Sequence, residues 1–216
     1  MKLVIFGATG NVGSRIAREA VSRGHEVVGV VRQPDEVTPP HPRVALVKGD
    51  ATNAASVAAV VRGADAAVSA ISPRPNARGL AAPRLADNAR AVIAGLRSAG
   101  VKRVLYVGGG STLEIAPGQQ LLDQPDFPEA YKAEALDGRE ALAIWRNEAE
   151  GLDWTFLSPA IVIGEGERTG RYRTTEEKML FDEQGHSFIS YDDYAVAVLD
   201  ELERPQHVGR RFGVAY

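Results

Sequence analysis

The chain begins with a short apolar run that passes directly into a turn containing three glycines. Residues 2–6 read KLVIF and residues 7–13 read GATGNVG. From Asn11 to Arg23 the apolar side chains recur near helical spacing. A strand, a tight turn and a helix in direct succession predict the start of a β–α–β unit. The glycine spacing further predicts a turn whose backbone approaches a ligand closely.

The same alternation of apolar runs and helical patterns continues to the end of the chain. The predicted strands cover residues 2–6, 26–31, 44–48, 66–71, 102–107, 153–157 and 211–215. The predicted helices cover residues 11–23, 53–62, 80–99, 131–150 and 191–202. Short connections between alternating elements predict a three-layer, doubly wound α/β fold of the Rossmann type. Its sheet should be mainly parallel, with helices on both faces.

Length and composition limit the classes of protein to which the chain can belong. Its 216 residues suit one domain, in which residues 108–131 and 159–190 form a small substrate-side region. The net charge of −3 argues against direct nucleic-acid binding. The absence of cysteine excludes disulfides, thiolate catalysis and cysteine-bound metals, and the four histidines show no metal-ligand spacing.

No apolar run reaches the roughly 20 residues that span a bilayer. We therefore expect no membrane association and a cytoplasmic location. The sequence leaves the oligomeric state open between monomer and homodimer.

The glycine turn has the properties of a pyrophosphate site. Gly7 permits the tight turn, Gly10 lets backbone amides approach an anion, and Gly13 allows the helix to pack close to the strand. The N-terminus of the helix supplies unpaired N–H groups and partial positive charge. Thr9 and Asn11 are placed to add side-chain hydrogen bonds. The alternative is a tight βα turn without a ligand.

The ends of the next strands offer candidates for recognising a dinucleotide. Arg32 ends the second strand, where a basic residue accommodates the 2′-phosphate of NADP and an acidic one binds the ribose of NAD. We therefore favour NADP(H) over NAD(H), with a solvated arginine as the alternative. Asp50 and Ala51 follow the third strand and are predicted to meet the adenine, although Asp50 also suits a turn or helix cap.

Two long loops follow predicted strands and so lie at the carboxyl edge of the sheet, where open α/β sheets bind ligands. Residues 72–79 form the first and residues 108–129 the second. Loops of this length are usually functional or disordered. The residues that end the fourth strand and enter the first loop should border the adenosine or nicotinamide ribose; they are Ser69, Ala70, Ile71 and Ser72.

Several longer motifs are more specific than the glycine turn. They are GATGNVGSRI at 7–16, VVRQP at 30–34, GGGSTLEIAPG at 108–118, DQPDFPEAY at 123–131, LDWTFLSPA at 152–160, GERTGRYR at 166–173 and FISYDDYAVAVLDELE at 188–203. Together they resemble the atypical, extended-like short-chain dehydrogenases/reductases. Within these they resemble the bacterial NAD(P)H-binding proteins assigned as NADH-flavin reductases, near the NmrA-like group. The resemblance extends over essentially the whole chain.

The resemblance implies a cofactor cleft over the carboxyl edge of the sheet. It implies that the pyrophosphate is held by Gly7, Thr9, Gly10, Asn11 and Val12, and that Arg32 meets the adenosine ribose or its phosphate. It also implies that the nicotinamide side is lined by Gly108, Gly109, Ser111, Pro159 and Ala160.

The chain departs from the wider superfamily in one respect that concerns catalysis. That superfamily reduces carbonyls with a Tyr-x-x-x-Lys pair. Tyr131 is followed at once by Lys132, and Ala135 stands four residues on. Tyr106 is followed four residues on by Gly110. The usual carbonyl-reducing pair is therefore not expected.

Flavin reduction does not require that pair, because the isoalloxazine ring itself holds the charge that arrives with a hydride. The protein need only hold the two rings face to face. The absence of the pair is consistent with flavin reduction. The resemblance favours an NAD(P)H-dependent oxidoreductase whose acceptor is FMN, FAD, a quinone or another planar molecule. The alternative is a non-catalytic NAD(P) sensor of the NmrA-like type that regulates a protein partner.

Candidates for contact with an acceptor remain on the substrate side. Ser111 and Tyr131 are predicted to donate hydrogen bonds to it as catalytic residues, although Ser111 also suits a turn cap and Tyr131 a cover over the cleft. Arg168, Arg171 and Arg173 suit a flavin phosphate or a carboxylated substrate, with a solvated loop as the alternative.

Overall fold

A computed structural model describes residues 1–74 and 83–216 of the chain. The helices are α1 (Asn11–Ser22), α2 (Ala54–Val61), α3 (Leu85–Ala99), α4 (Glu129–Glu148) and α5 (Tyr191–Glu203). The longer strands are β1 (Lys2–Phe6), β2 (Glu26–Val31), β3 (Val44–Lys48), β4 (Ala66–Ser69), β5 (Arg103–Val107), β8 (Asp153–Ser158) and β12 (Arg210–Ala215). The short strands are β6 (Glu114–Ala116), β7 (Gln119–Gln120), β9 (Val162–Gly164), β10 (Arg173–Thr175) and β11 (Phe188–Ser190). Turns of 3₁₀ helix cover Pro34–Glu36 and Leu121–Asp123.

Eight of these strands form one sheet in the order β10-β12-β8-β5-β4-β1-β2-β3. All neighbours are parallel except β10, which runs antiparallel to β12 at the edge. The strands β1, β4, β5 and β8 are buried along nearly their whole length, because helices cover both faces. The predicted doubly wound α/β fold is confirmed.

The helices divide into two layers, each with its own apolar core. One core packs α1 and α5 against the sheet around Ile16, Tyr194 and Leu199. The other packs α2, α3 and α4 against the opposite face around Val92 and Trp145. Apolar side chains on both faces of the strands thus stabilise the three layers through burial.

Several predicted boundaries differ from the structure. The fourth strand ends at Ser69, so Ala70 and Ile71 lie in the connection that follows it. The third helix begins at Leu85 rather than at residue 80, and residues 75–82 lie outside the described part of the chain. The predicted loop 108–129 contains β6, β7 and a 3₁₀ turn. Its β6 strand is held by backbone hydrogen bonds of Glu114 to Glu177 and Met179, which are distant in sequence.

The segment after β8 also contains more regular structure than its sequence pattern indicated. Strands β9 and β11 pair in parallel as a separate two-stranded sheet, and β10 extends the main sheet. Runs of three residues are too short for a periodic pattern, so tertiary pairing decides them. None of the helices in residues 1–74 and 83–216 combines the length and apolar character that crossing a bilayer requires.

Candidate dinucleotide and acceptor site

The glycine turn between β1 and α1 leaves no room for side chains at two of its glycines. Gly7 has a φ of +77°, and a Cβ there would lie 2.5 Å from the carbonyl oxygen of Ala70. A Cβ on Gly13 would overlap the carbonyl oxygen of Gly7. The first glycine is therefore required by conformation and by the nearby end of β4, and the third by the close packing of α1 on the turn.

The first turn of α1 has the features of an anion-binding site. Gly10 caps the helix without a side-chain hydrogen bond, and no acidic residue lies in the first turn. The N–H of Gly10 donates to the carbonyl of Gly7 at 3.0 Å, which closes the turn. Thr9, Gly10 and Asn11 are exposed, and Val12 is half-buried beside them. The N–H groups that begin a helix have no partner within it, so this open end suits a pyrophosphate.

The parallel strands bring the ends predicted to bind the cofactor to one edge of the sheet. The residues that directly follow β1, β2, β4, β5 and β8 are Gly7, Arg32, Ala70, Gly108 and Pro159. The strand order reverses direction at β1, which lies between β2 and β4. A crevice at such a reversal is where doubly wound sheets hold dinucleotides.

On the adenosine side, Arg32 is exposed and directly follows β2. Asp50 lies two residues beyond β3, and its Oδ1 accepts hydrogen bonds from the Thr52 N–H at 2.8 Å and hydroxyl at 2.7 Å. These bonds agree with the turn role left open for Asp50. Contact of Arg32 and Asp50 with a cofactor remains a prediction, and Ala51 beside Asp50 is largely buried.

The structure adds a polar residue that the sequence reading missed. Asn88 on α3 is fully buried and accepts a hydrogen bond from the Ser69 hydroxyl at 2.8 Å. Its Nδ2 donates to the carbonyl of Ala51, also at 2.8 Å. An asparagine among the apolar positions of a predicted helix was the available signal. Asn88 therefore joins two segments that were each predicted to line the cofactor.

Two hydrogen bonds hold the connection that follows β4. The Ala70 N–H donates to the carbonyl of Phe6 at 2.9 Å and so continues the pairing of β4 with β1 by one bond. Ile71 is half-buried and Ser72 is exposed. The Ser72 hydroxyl accepts from the N–H of Arg74 at 3.1 Å.

On the predicted nicotinamide side, the ends of β5 and β8 pack directly together. A Cβ on Gly108 would overlap the ring of Phe156, and one on Gly110 would lie 2.5 Å from the carbonyl oxygen of Pro159. A Cβ on Gly109 would meet little, since its nearest neighbour would be the Ser111 hydroxyl at 3.8 Å. Ala160 is buried where these segments meet.

Ser111 is half-buried, and its carbonyl accepts the N–H of Leu122 at 2.8 Å. The next side chain, Thr112, accepts a hydrogen bond from the buried guanidinium of Arg211 at 2.8 Å. Arg211 also forms an ion pair with Glu177. Burial lowers the pKa of Arg211, and the pair with Glu177 opposes that effect. The loop that carries Ser111 is therefore held by a buried charge from β12.

Tyr131 lies in the first turn of α4 with 51% of its surface exposed. The Arg74 guanidinium carbon lies 5.3 Å from its ring centroid, and Arg74 Nε donates to Glu134 at 2.8 Å. Lys132 pairs instead with Glu129 at 3.6 Å. Ala135, where the usual lysine would stand, is buried.

Tyr106 is also unavailable as an acid, because it is fully buried and its hydroxyl donates to the carbonyl of Leu85 at 3.1 Å. Burial raises its pKa well above the usual range of tyrosine. No Tyr-x-x-x-Lys spacing occurs anywhere in the sequence. The arrangement therefore lacks the proton-donating pair of the wider superfamily.

The basic cluster in the segment after β8 is largely engaged with the protein. Arg168 makes two hydrogen bonds to the buried carboxylate of Glu19, at 3.0 and 2.8 Å. Arg173 donates to the carbonyls of Phe181 and Tyr216. Arg171 is exposed. These contacts favour a structural role for Arg168 and Arg173 over the predicted contact with a flavin phosphate.

The same segment is anchored to α5 by the buried carboxylate of Asp193. It accepts hydrogen bonds from the N–H and hydroxyl of Thr169, the N–H of Gly170 and the hydroxyl of Tyr216, at 2.6 to 3.0 Å. Burial acts to raise the pKa of Asp193, but these donors outweigh it and hold the pKa below its usual range.

Comparison with known proteins identifies the family of the chain. The model of a family described as NAD(P)H-binding matches residues 7–205. A "putative exported protein" of Burkholderia pseudomallei is 44% identical, with 100% of both chains covered and a TM-score of 0.89. A "putative epimerase" of Bacteroides thetaiotaomicron is 39% identical, covering 100% of this chain and 96% of that one, with a TM-score of 0.87. A "putative NADH-flavin reductase" of Streptococcus pneumoniae is 34% identical over 100% and 99% of the chains, with a TM-score of 0.84.

Proposed function

The chain belongs to the NAD(P)H-binding family, and on that premise we propose that it transfers hydride from NAD(P)H to a flavin, quinone or similar planar acceptor. The observation that carries the proposal is an anion-ready glycine turn in a site whose expected lysine position, Ala135, is a buried alanine. The similarity to the Streptococcus pneumoniae protein supports a flavin, FMN or FAD, as the acceptor.

In this proposal different residues at the carboxyl edge of the sheet bind different parts of the cofactor. The backbone from Gly7 to Val12 holds the pyrophosphate, and Arg32 meets the adenosine ribose, where its positive charge favours the 2′-phosphate of NADP(H). The segments around Gly108 and Pro159 border the nicotinamide. When bound, the reduced nicotinamide supplies a hydride.

The chain's part in the reaction is to orient the acceptor rather than to protonate it. The half-exposed ring of Tyr131 offers a face against which a planar molecule can stack. Its hydroxyl and that of Ser111 are the proposed hydrogen-bond donors to an acceptor carbonyl. A flavin or quinone delocalises the incoming negative charge and can later take a proton from solvent, so no buried acid is required.

Steady-state oxidation of NADPH and NADH, followed with FMN, FAD and quinones in turn, tests the proposal. We expect turnover with at least one acceptor, and faster turnover with NADPH than with NADH. Tyr131→Phe should slow turnover and leave NADPH binding unchanged, and Ser111→Ala should also slow turnover. Oxidation no faster than in buffer, with every acceptor, would disprove hydride transfer.

The buried alanine at position 135 is equally what a non-catalytic NAD(P) sensor would have. That second candidate predicts tight cofactor binding without turnover and a protein partner whose affinity differs between NADP⁺ and NADPH. Pull-downs in the two cofactor states would reject it if both recover the same proteins or none.

A further inference from the structure

A fully buried amide connects the turn after β3 with the end of β4, two segments that the sequence predicts to border the cofactor. Asn88 has no exposed surface and lies one turn into α3. It accepts a hydrogen bond from the Ser69 hydroxyl and donates one to the carbonyl of Ala51, each at 2.8 Å. Ser69 is itself 1% exposed, so bulk water does not reach the bond to its hydroxyl.

The two bonded segments lie on either side of the glycine turn. Ser69 ends β4, and the carbonyl of the next residue, Ala70, limits the space at Gly7. Ala51 lies in the turn between β3 and α2. In the sheet, β3 and β4 are separated by β2 and β1, so Asn88 joins segments that no strand pairing connects.

We infer that Asn88 is a positioning residue for the adenosine half of the cofactor. Its amide sets the Asp50–Ala51 turn relative to the end of β4 and, through Ala70, relative to the glycine turn. The role needs one acceptor and one donor on the same short side chain, which a carboxylate or an aliphatic group does not provide. The inference depends on cofactor binding and not on the proposed hydride transfer.

The decisive measurement is the affinity of Asn88→Leu for ADP-ribose, which lacks the nicotinamide, and for NADPH. Leucine keeps similar volume but leaves the Ser69 hydroxyl and the Ala51 carbonyl without partners. We expect both dissociation constants to rise by the same factor, about tenfold or more, because without the two bonds the binding-competent arrangement of the Asp50–Ala51 turn and the end of β4 is populated only part of the time. Ser69→Ala removes one of the two bonds and should raise the dissociation constant of ADP-ribose about threefold.

Thr155→Val is the matched control. Thr155 is also fully buried, and its hydroxyl accepts a hydrogen bond from Arg103 and donates one to the carbonyl of His207. It lies in the amino half of β8, away from the predicted cofactor edge. The thermal stability of the Thr155→Val protein should fall as it does in Asn88→Leu. Its affinity for ADP-ribose should stay within about twofold of the parent's.

Unchanged affinity in Asn88→Leu, or an equal loss in Thr155→Val, would overturn the inference. If Asn88→Leu does not fold, Ser69→Ala decides, and an affinity for ADP-ribose equal to the parent's would overturn it. Because no acceptor is present, a failure of the proposed hydride transfer would leave these results unchanged.

Discussion

The glycine turn at residues 7–13 and the region predicted to lie on the substrate side, residues 108–131 and 159–190, are organised by different forces. In the turn, the geometry requires glycine, because a Cβ on Gly7 or Gly13 would collide with nearby backbone carbonyls. In the substrate-side region, the geometry is set by polar side chains that bond across long stretches of chain. Arg211 and Thr112 are 99 residues apart in sequence.

This difference explains what each region can tolerate. Backbone carbonyls fill the space at Gly7 and Gly13, so one added methyl group disrupts the turn. A network of charges shares its energy among several partners, so a single substitution should affect stability more than ligand geometry. The glycine turn should therefore respond to mutation through cofactor affinity, and the buried charges through folding.

The largest effect is expected from Gly13→Ala. The added methyl overlaps the carbonyl of Gly7 and displaces α1 from the turn. NADPH affinity should fall about 100-fold, and the free energy of unfolding by about 1–3 kcal/mol. Gly138→Ala on α4 is the control, because its Cβ would meet only Leu85 at 3.9 Å. Titration of NADPH against both variants checks this, and near-parental affinity in Gly13→Ala would remove the steric argument.

The next effect concerns the choice of cofactor at Arg32. Arg32→Asp should change the ratio of the NADPH and NADH dissociation constants about tenfold in favour of NADH, through loss of a charge-assisted bond to a 2′-phosphate. The control is Arg62→Asp, which makes the same charge change at the exposed C-terminus of α2. A ratio equal to the parent's would show that Arg32 does not recognise the phosphate.

A smaller effect is expected where the connection after β4 meets α4. Arg74→Ala removes the guanidinium from the ring of Tyr131 and from Glu134. The KM for the acceptor should rise about threefold, because the cation–π contact that orders Tyr131 is lost, and NADPH affinity should not change. Arg84→Ala is the control, since Arg84 pairs with Glu140 further along α4. Equal KM values in the two variants would contradict a role for Arg74 beside the acceptor.

The smallest effect on ligand binding is expected at Asp193. The folded pKa of its carboxylate is lowered, so its stabilising contribution is present above the usual pKa of aspartate and is lost as pH falls through the lowered value. Asp193→Asn should reduce the free energy of unfolding at pH 7 by about 1.5–3 kcal/mol, because bonds to a charged acceptor are lost. The deficit should shrink below about pH 4.

Denaturant unfolding at several pH values, beside the neighbouring Asp192→Asn as control, measures this deficit. A deficit that stays constant down to pH 2 would show that the carboxylate charge does not stabilise the fold. A large loss of NADPH affinity in Asp193→Asn would show that the two regions are not organised separately.

The sequence by itself determined the layers, the parallel sheet and the glycine turn. Apolar periodicity reports which residues are buried. The three spaced glycines are visible in the sequence itself, although the Ala70 carbonyl that limits the space at Gly7 is not. The sequence also showed that Tyr131 has no lysine four residues on, because that relation is local to one helix.

Only the tertiary structure decided which distant segments and polar groups meet. It paired β6 with the segment at 177–179, assigned Arg168 to Glu19, and placed Asn88 between Ser69 and Ala51. None of these partners is close in sequence. The identity of an arginine or asparagine also does not show whether its side chain is buried or solvated. Which polar group meets which is set by the packing of whole elements, so it cannot be obtained from local patterns.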